Sequence, residues 1–236
     1  MLEPLLLPNK IQFARGERSH EGILTVEPCA QGYGTTLGNA LRRVLLTSLG
    51  GAAVTAVKIK GVDHEFSTMS NVKEDVLEII LNLKLLRVKL FSEEPVKLTL
   101  AVKGEKAVTA KDFAKDALVE IVNPDLHLAT LTSPSASFEM DVWVGSGRGY
   151  RPTEERLKEK LELGTIAIDA LYSPIVNVSY KVEATRVGDK IDYDKLILHV
   201  ETDGSMDPLD GCQQAVSVLL DYVGVLKDLT YSEKTA

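Results

Sequence analysis

Three glycines mark the stretch of the sequence where chemistry is easiest to imagine: Gly32, Gly34 and Gly38 lie where a strand-like run gives way to a helix. Free backbone N–H groups at the start of a helix bind phosphate, so a glycine-rich turn here could cradle a nucleotide. The spacing G-x-G-x-x-x-G is one residue longer than the dinucleotide fingerprint, and no Gly-Lys-Ser or Gly-Lys-Thr follows as in a P-loop. We keep a nucleotide-binding enzyme that uses the loop from Gly32 to Gly38 as the alternative function.

The other residues that could do chemistry form no recognisable catalytic or metal centre. None of the four histidines has the spacing of an HExxH zinc site, and there is no G-x-S-x-G nucleophile elbow. Cys29 and Cys212 fit no CxxC pattern, so two reduced, packed thiols are expected. The acidic stretch 201–211 lacks the ligand order of an EF-hand. We therefore expect no catalytic residue, metal, cofactor or small-molecule substrate in this chain.

The composition is that of an ordinary globular protein, with 44% hydrophobic and 26% charged residues over 236 positions. The length allows one large domain or two smaller ones. The net charge of −7 argues against a surface that binds nucleic acid throughout. The amino terminus does not resemble a signal peptide, and no apolar run reaches the roughly 18 residues of a membrane span. We expect a cytoplasmic protein with no membrane partner.

Alternating apolar and polar residues predict several strands, and this pattern is typical of antiparallel sheets with one solvated face. The strongest alternation lies at 96–103, 136–144, 176–184 and 196–200, with weaker runs at 22–26 and 53–60. Residues 145–162 are interpreted as an exposed segment between ordered parts.

Helical periodicity predicts three helices. The first follows the glycines, with Thr35 or Thr36 as its cap and Gly50-Gly51 at its end. The second spans 72–90 and is apolar over more than half of its circumference, so it is mostly buried or touches two neighbours. The third runs from Pro208 to about Leu229, with Pro at the first helical position.

The first helix has two distinct faces. Its core stripe is made of Leu37, Ala40, Leu41, Val44 and Leu45. The opposite face carries Asn39, Arg42, Arg43 and Leu46. An apolar residue beside arginines is typical of a protein interface. The open alternative is a solvated face with one stray leucine.

The last helix carries two apolar stripes where docking on its own core needs only one. The first is Leu209, Cys212, Val216, Leu219, Leu220, Val223 and Leu226, and the second is Ala215, Val218, Tyr222, Val225 and Leu229. The second stripe favours a partner, and a second copy of the chain is the simplest one. A helix deep inside one large core is the alternative.

Beyond these patterns, the segment GYGTTLGNALRRVLL resembles the signature of the alpha subunit of bacterial DNA-dependent RNA polymerase. Further segments match in order: VTAVKIKGVDHEFSTMSNVKEDVLEIILNLK, GRGYRP, LYSPIVNVSYKVEATRVGD and DYDKLILHVETDGSMDP. Together they cover most of the chain and correspond to the amino-terminal assembly part of that subunit.

The resemblance implies an α+β fold of two domains. A discontinuous dimerisation domain of antiparallel sheet plus helices would comprise residues 1–50 and 176–236, and a mostly-β domain of residues 51–175 would be inserted into it. It implies a non-catalytic subunit of a nucleotidyltransferase that homodimerises and forms the platform on which the beta and beta-prime subunits assemble for transcription. Family members usually continue into a small helical domain that contacts promoter DNA. This sequence ends at Ala236, so we expect DNA contact only indirectly, through the complex.

The resemblance also implies roles for individual residues. Arg43 and Leu46, with Arg42 beside them, would contact the beta subunit, and Lys84 and Ile168 would contact beta-prime. The dimer interface implied by the helix stripes and by the family comprises Tyr33, Leu37, Leu41, Val218, Tyr222, Val225 and Leu229.

Overall fold

Two units make up the computed structural model, which describes residues 5–156 and 161–229. The discontinuous unit consists of the chain up to Leu49 and from Ile175 onward, and the inserted unit consists of Gly50–Pro174. These limits lie one residue from the domain limits expected from the sequence, 1–50 with 176–236 and 51–175.

The described residues form an α+β fold in which every sheet is antiparallel, and the fold class predicted from the sequence is confirmed. The helices are α1 (Tyr33–Thr47), α2 (Val76–Lys84) and α3 (Pro208–Val225). The strands are β1 (Lys10–Arg15), β2 (Glu21–Cys29), β3 (Gly50–Ile59), β4 (Val88–Leu90), β5 (Val96–Lys103), β6 (Lys106–Thr109), β7 (Val119–Ile121), β8 (His127–Leu131), β9 (Ser137–Arg148), β10 (Tyr150–Arg151), β11 (Ile166–Ala167), β12 (Ala170–Leu171), β13 (Ile175–Val187) and β14 (Lys190–Thr202).

The sheet of the discontinuous unit has the strand order β1-β2-β14-β13. Its central pair joins the two ends of the sequence, because Leu24 of β2 lies opposite Leu198 of β14. Alternate residues of these strands point into one core, which also contains Leu41 and Leu45 of α1 and Ala215 of α3. The helices therefore cover one face of this sheet.

Helix α1 lies unusually close to the sheet because it presents glycines to it. A Cβ atom at Gly38 would lie 2.6 Å from Cδ2 of Tyr180 and 2.9 Å from Cδ1 of Leu196. A Cβ atom at Gly34 would lie 2.9 Å from that of Asp194. Real Cβ contacts are longer, so only glycine allows this separation at both positions.

The inserted unit is built on a second antiparallel sheet with the order β11-β3-β9-β5. The same unit contains two separate two-stranded sheets, β4 with β7 and β6 with β8. One face of α2 packs on this core through Val76, Ile79 and Leu83, which are all fully buried.

Two helices differ from their predicted limits. Helix α2 begins at Val76 because the Asp75 carboxylate accepts a hydrogen bond from the backbone N–H of Glu78 and caps it there. It ends at Lys84, and the apolar residues after it turn into β4. Gly50 and Gly51 begin β3 instead of ending α1, and Gly51 is required there because a Cβ atom would lie 1.9 Å from the carbonyl oxygen of Tyr172.

A buried carboxylate fixes the segment before α2 to β8. Glu74 is 7% exposed and accepts hydrogen bonds from the backbone N–H and the hydroxyl of Thr130 at 2.6 and 2.8 Å. Nε2 of His127 lies 3.0 Å from Oε1 of Glu74, the same oxygen that accepts the hydrogen bond from the Thr130 hydroxyl. Burial opposes the ionisation of Glu74, but the hydrogen bonds from His127 and Thr130 outweigh it and lower the pKa of Glu74 to about 2.

Substituting Gly38→Ala tests the close approach of α1 to its sheet. We expect the free energy of unfolding to fall by about 1–3 kcal/mol, because the new methyl group overlaps the Tyr180 ring. The matched control is Asn39→Ala on the exposed side of the same helix, which should be neutral or slightly stabilising. Urea unfolding measures both, and equal stability of the two variants would contradict the packing described here.

Substituting Glu74→Gln tests the buried carboxylate. Because the folded state lowers the pKa of Glu74 from 4.5 to about 2, its contribution to stability is complete above its ordinary pKa and is lost as the pH falls toward 2. We expect the variant to lose about 1–3 kcal/mol at neutral pH, and the difference from the wild type to shrink in acid. Unfolding curves over a pH series measure this, with the exposed Glu105→Gln as control. A difference that is constant with pH would exclude the ionised form as the cause.

Candidate functional site

The start of α1, where the sequence allowed a phosphate site, is occupied by a carboxylate of the same chain. Oδ2 of Asp194 accepts hydrogen bonds from the backbone N–H groups of Gly32 at 2.8 Å and Gly34 at 3.1 Å. Gly32 adopts the left-handed conformation (φ +84°) that this turn needs. The predicted caps, Thr35 and Thr36, are wrong, because Gly32 is the N-cap and has no side chain to bond.

This arrangement removes the physical basis of the nucleotide-binding alternative. The two N–H groups that would hold a phosphate already have a charged acceptor. An incoming phosphate would have to displace Asp194 and then face its negative charge at close range. The glycines serve the turn and the close packing of α1.

The described residues offer little for catalysis. In residues 5–156 and 161–229, no three His, Cys, Asp or Glu side chains are grouped to hold a metal ion. Burial raises the pKa of the Cys212 thiol to about 11, and burial together with nearby Asp194 raises that of Cys29. Neither thiol is therefore an activated nucleophile. A separate observation concerns membranes: over the same ranges, every helix is too short or too polar to cross one.

The two arginines on the outer face of α1 differ in their contacts with the described residues. Nε of Arg42 donates a hydrogen bond to the carbonyl oxygen of Val178 at 3.0 Å, so this side chain is tied to β13 of its own unit. Arg43 is exposed and makes no side-chain ion pair or hydrogen bond within the described part of the chain. Leu46 is half-buried and packs against the core. Of the three residues expected to contact the beta subunit, Arg43 is the most available.

The residues predicted for a dimer interface divide into buried and uncovered groups. Leu41 is 6% exposed and belongs to the core of the discontinuous unit, so little of its side chain is available to a partner, and its place in the dimer interface stays a prediction. Tyr33 and Leu37 of α1 are exposed. On α3, Val218 is half-buried, and Tyr222, Val225 and, just beyond the helix, Leu229 are exposed.

Only the first half of α3 docks on the core. Its buried residues are Pro208, Gly211, Cys212 and Ala215, all within the first two turns or so. Further along, both stripes are uncovered. We call this region the distal α3 surface, and its members are more than half exposed: Leu220, Tyr222, Val223, Val225, Leu226 and Leu229. The stripe that was predicted to dock on the core thus does so only at its beginning.

In the inserted unit, an ion pair brings together the two segments predicted to contact beta-prime. Nζ of Lys84 lies 3.0 Å from Oδ2 of Asp169, and Oδ1 of Asp169 accepts a hydrogen bond from the backbone N–H of Thr153. The hydrogen bond from Lys84 is the main reason that the pKa of Asp169 is lowered. Ile168, beside it, is 1% exposed and lies in the core. The exposed surface here belongs to its neighbours, and a direct contact of Ile168 with beta-prime stays a prediction.

The sequence patterns did not predict an apolar surface beside this ion pair. Three leucines nevertheless line the exposed side of α2. Leu77, Leu81 and Leu85 are four residues apart and each is about half exposed, and we call them the α2 leucine stripe. Leu171 and Tyr150 form an exposed cross-strand pair two residues beyond Asp169. The wide apolar circumference of this helix was the signal that it touches more than its own core.

Comparison with known proteins shows the family of this chain. Residues 57–173, inside the inserted unit, match the RNA polymerase Rpb3/RpoA insert domain, and residues 132–223 match the RNA polymerase Rpb3/Rpb11 dimerisation domain. The DNA-directed RNA polymerase subunit alpha of Oceanobacillus iheyensis is 47% identical over 220 residues, which cover 93% of this chain and 70% of the relative.

A second relative has the same name. The DNA-directed RNA polymerase subunit alpha of Alkaliphilus oremlandii is 48% identical over 209 residues, which cover 89% of this chain and 66% of that protein. The chain thus spans about two thirds of the length of these two relatives. With this identity over nearly all of its length, the chain belongs to the family of DNA-directed RNA polymerase alpha subunits.

Proposed function

We propose that this chain is a non-catalytic assembly subunit of a cytoplasmic DNA-directed RNA polymerase. It homodimerises, and the dimer is the platform on which the beta and beta-prime subunits assemble. Nucleotidyl transfer takes place on those other chains, and this chain meets DNA only through the complex. The observation that carries the proposal is the distal α3 surface, a large apolar surface that the described part of the chain leaves uncovered.

The distal α3 surface has the properties of an interface core. From Leu220 to Leu229 the charged residues are Asp221, Lys227 and Asp228, so the run 222–226 in the middle of this surface carries no charge. Interface cores are depleted of charge in the same way. Full burial of one Val or Leu side chain contributes about 1.5–3 kcal/mol, so leaving this surface in water is costly. A second copy brings the same surface to a two-fold axis and covers both.

Helix α1 contributes the adjoining part of the dimer interface. It packs against α3 in the same unit and exposes Tyr33 and Leu37. Tyrosine is enriched in interfaces because its ring supplies apolar area and its hydroxyl tolerates a wet rim. Two helices from each copy then form one apolar layer.

The beta subunit contacts the opposite side of α1, through Arg43. A guanidinium with no side-chain partner among the described residues of its own chain binds a carboxylate or carbonyl group of another chain without first breaking a bond. Leu46 beside it supplies apolar contact from the part of its surface that is exposed. Arg42 keeps its hydrogen bond to Val178 and adds less.

The beta-prime subunit contacts the inserted unit around Lys84. The Lys84–Asp169 pair is about one third exposed and is flanked by the α2 leucine stripe. Half-exposed leucines around a preformed ion pair suit a partner that covers the leucines and bonds to the outer atoms of the pair. Ile168 supports this surface from the core.

Substitution of Tyr222→Glu or Val225→Glu tests the dimer. A carboxylate in a closed apolar interface loses its hydration without gaining a partner, so we expect the dissociation constant of the dimer to rise about 100-fold. Analytical ultracentrifugation measures it. The matched control is Ile191→Glu, an equally exposed apolar residue at the β13–β14 hairpin, which should leave the dimer intact. A dimer of unchanged affinity in the α3 variants would refute this interface.

Substitution of Arg43→Ala tests the contact with beta. We expect about tenfold weaker binding of the purified beta subunit. The dimer and the unfolding temperature should not change, because the side chain is exposed and makes no ion pair or hydrogen bond with the described residues. Arg42→Ala is the comparison, and it should affect binding less and stability more. Unfolding of the Arg43 variant would show that this face of α1 is misassigned.

A further inference from the structure

We infer that Asp194 is a positioning residue for the subunit interface. Its carboxylate holds the first turn of α1, and with it Tyr33, in the place that the dimer needs. The inference rests on the proposed homodimerisation. It concerns a residue of β14, which lies outside the two helices that form the proposed interface.

The hydrogen bonds of Asp194 bracket Tyr33. One carboxylate oxygen, Oδ2, accepts from the N–H groups on both sides of this residue, Gly32 at 2.8 Å and Gly34 at 3.1 Å. A single acceptor shared by residues i and i+2 fixes the peptide planes between them. The orientation of Tyr33, which is half exposed, is therefore set by a side chain 161 positions away in the sequence.

The pairing of β14 with β2 is irregular beside Asp194. Asp194 lies opposite Cys29 and Leu196 lies opposite Val26, so β2 has one extra residue between the two pairs. A β-bulge of this kind redirects the side chains next to it. At this position the Cβ atom of Asp194 comes under the first turn of α1, close to Gly34.

Within the helix itself, nothing replaces this carboxylate. The first turn of α1 contains no acidic residue, and its N-cap makes no side-chain hydrogen bond. Thr36 bonds only the carbonyl oxygen of Gly32 and cannot satisfy the N–H groups. Gly32 has a positive φ and no neighbour within 4 Å of its missing Cβ, so the turn has no other restraint from packing there.

Order at this turn matters for association because an interface that is already in its bound shape loses less entropy on binding. If Asp194 is removed, the first turn must be ordered each time two copies meet. Affinity between the copies should then fall more than the stability of the fold.

The experiment compares Asp194→Ala and Asp194→Asn with Asp192→Ala, which removes an exposed carboxylate from the same strand. Ultracentrifugation of the full chain gives the dimer dissociation constant, and hydrogen exchange gives the protection of the Gly32 and Gly34 amides. We expect Asp194→Ala to raise the dissociation constant about tenfold and to speed exchange at both glycines. Asp194→Asn, which keeps an oxygen acceptor, should restore part of both, and Asp192→Ala should match the wild type.

The outcomes separate this inference from the function on which it rests. A monomeric wild-type protein would overturn the proposed homodimer and this inference with it. A dimeric wild type with an unchanged dissociation constant in Asp194→Ala overturns the positioning role alone. If the alanine variant does not fold, the same criterion applies to Asp194→Asn, for which wild-type affinity and wild-type exchange at Gly32 and Gly34 are the contradicting result.

Discussion

The close approach of α1 to its sheet is the constraint from which the surfaces of the discontinuous unit follow. Because Gly34 and Gly38 meet the sheet, only a narrow strip of the helix is buried, and it is completed by Leu41 and Leu45. The rest of the circumference stays outside, which is how a 15-residue helix can offer Tyr33 on one side and Arg43 on another. A helix held farther from the sheet by larger side chains would bury more of itself and display less.

Helix α3 likewise buries only part of its surface in its own unit. Its first half completes the core with small residues such as Gly211 and Ala215, and its second half continues past the sheet with its apolar side chains in water. In isolation this arrangement gives up stabilisation that most terminal helices obtain from their own domain. In the proposed dimer, association would restore it by mass action, and the stability of this unit would then depend on the concentration of its partner.

The sequence patterns anticipated the elements well where the cause was local. Alternation located the strands around Val96–Lys103 and 196–200, and the Asp207-Pro208 pair located the start of α3.

Prediction failed where a structural feature depends on residues far away in the sequence. The cap of α1 comes from Asp194, which no local pattern links to Gly32, and the burial of Ile168 depends on strands elsewhere in the chain. Residues 145–148, expected in an exposed segment, continue β9 because they pair with the start of β3. The resemblance to a known family gave the residues near the interfaces, but only coordinates could separate exposed from buried ones.

The central pairing of β2 with β14 has a consequence for folding during synthesis. The ribosome releases β1, β2 and α1 first, yet β14, which lies between β2 and β13, begins more than 160 residues after the end of β2. The strands of the inserted unit all lie between Gly50 and Pro174, so this unit can fold before β14 is available to pair with β2. Contacts of such long sequence separation form slowly. The edge of β2 and the apolar face of α1 are therefore the parts of the nascent chain most in need of protection by chaperones.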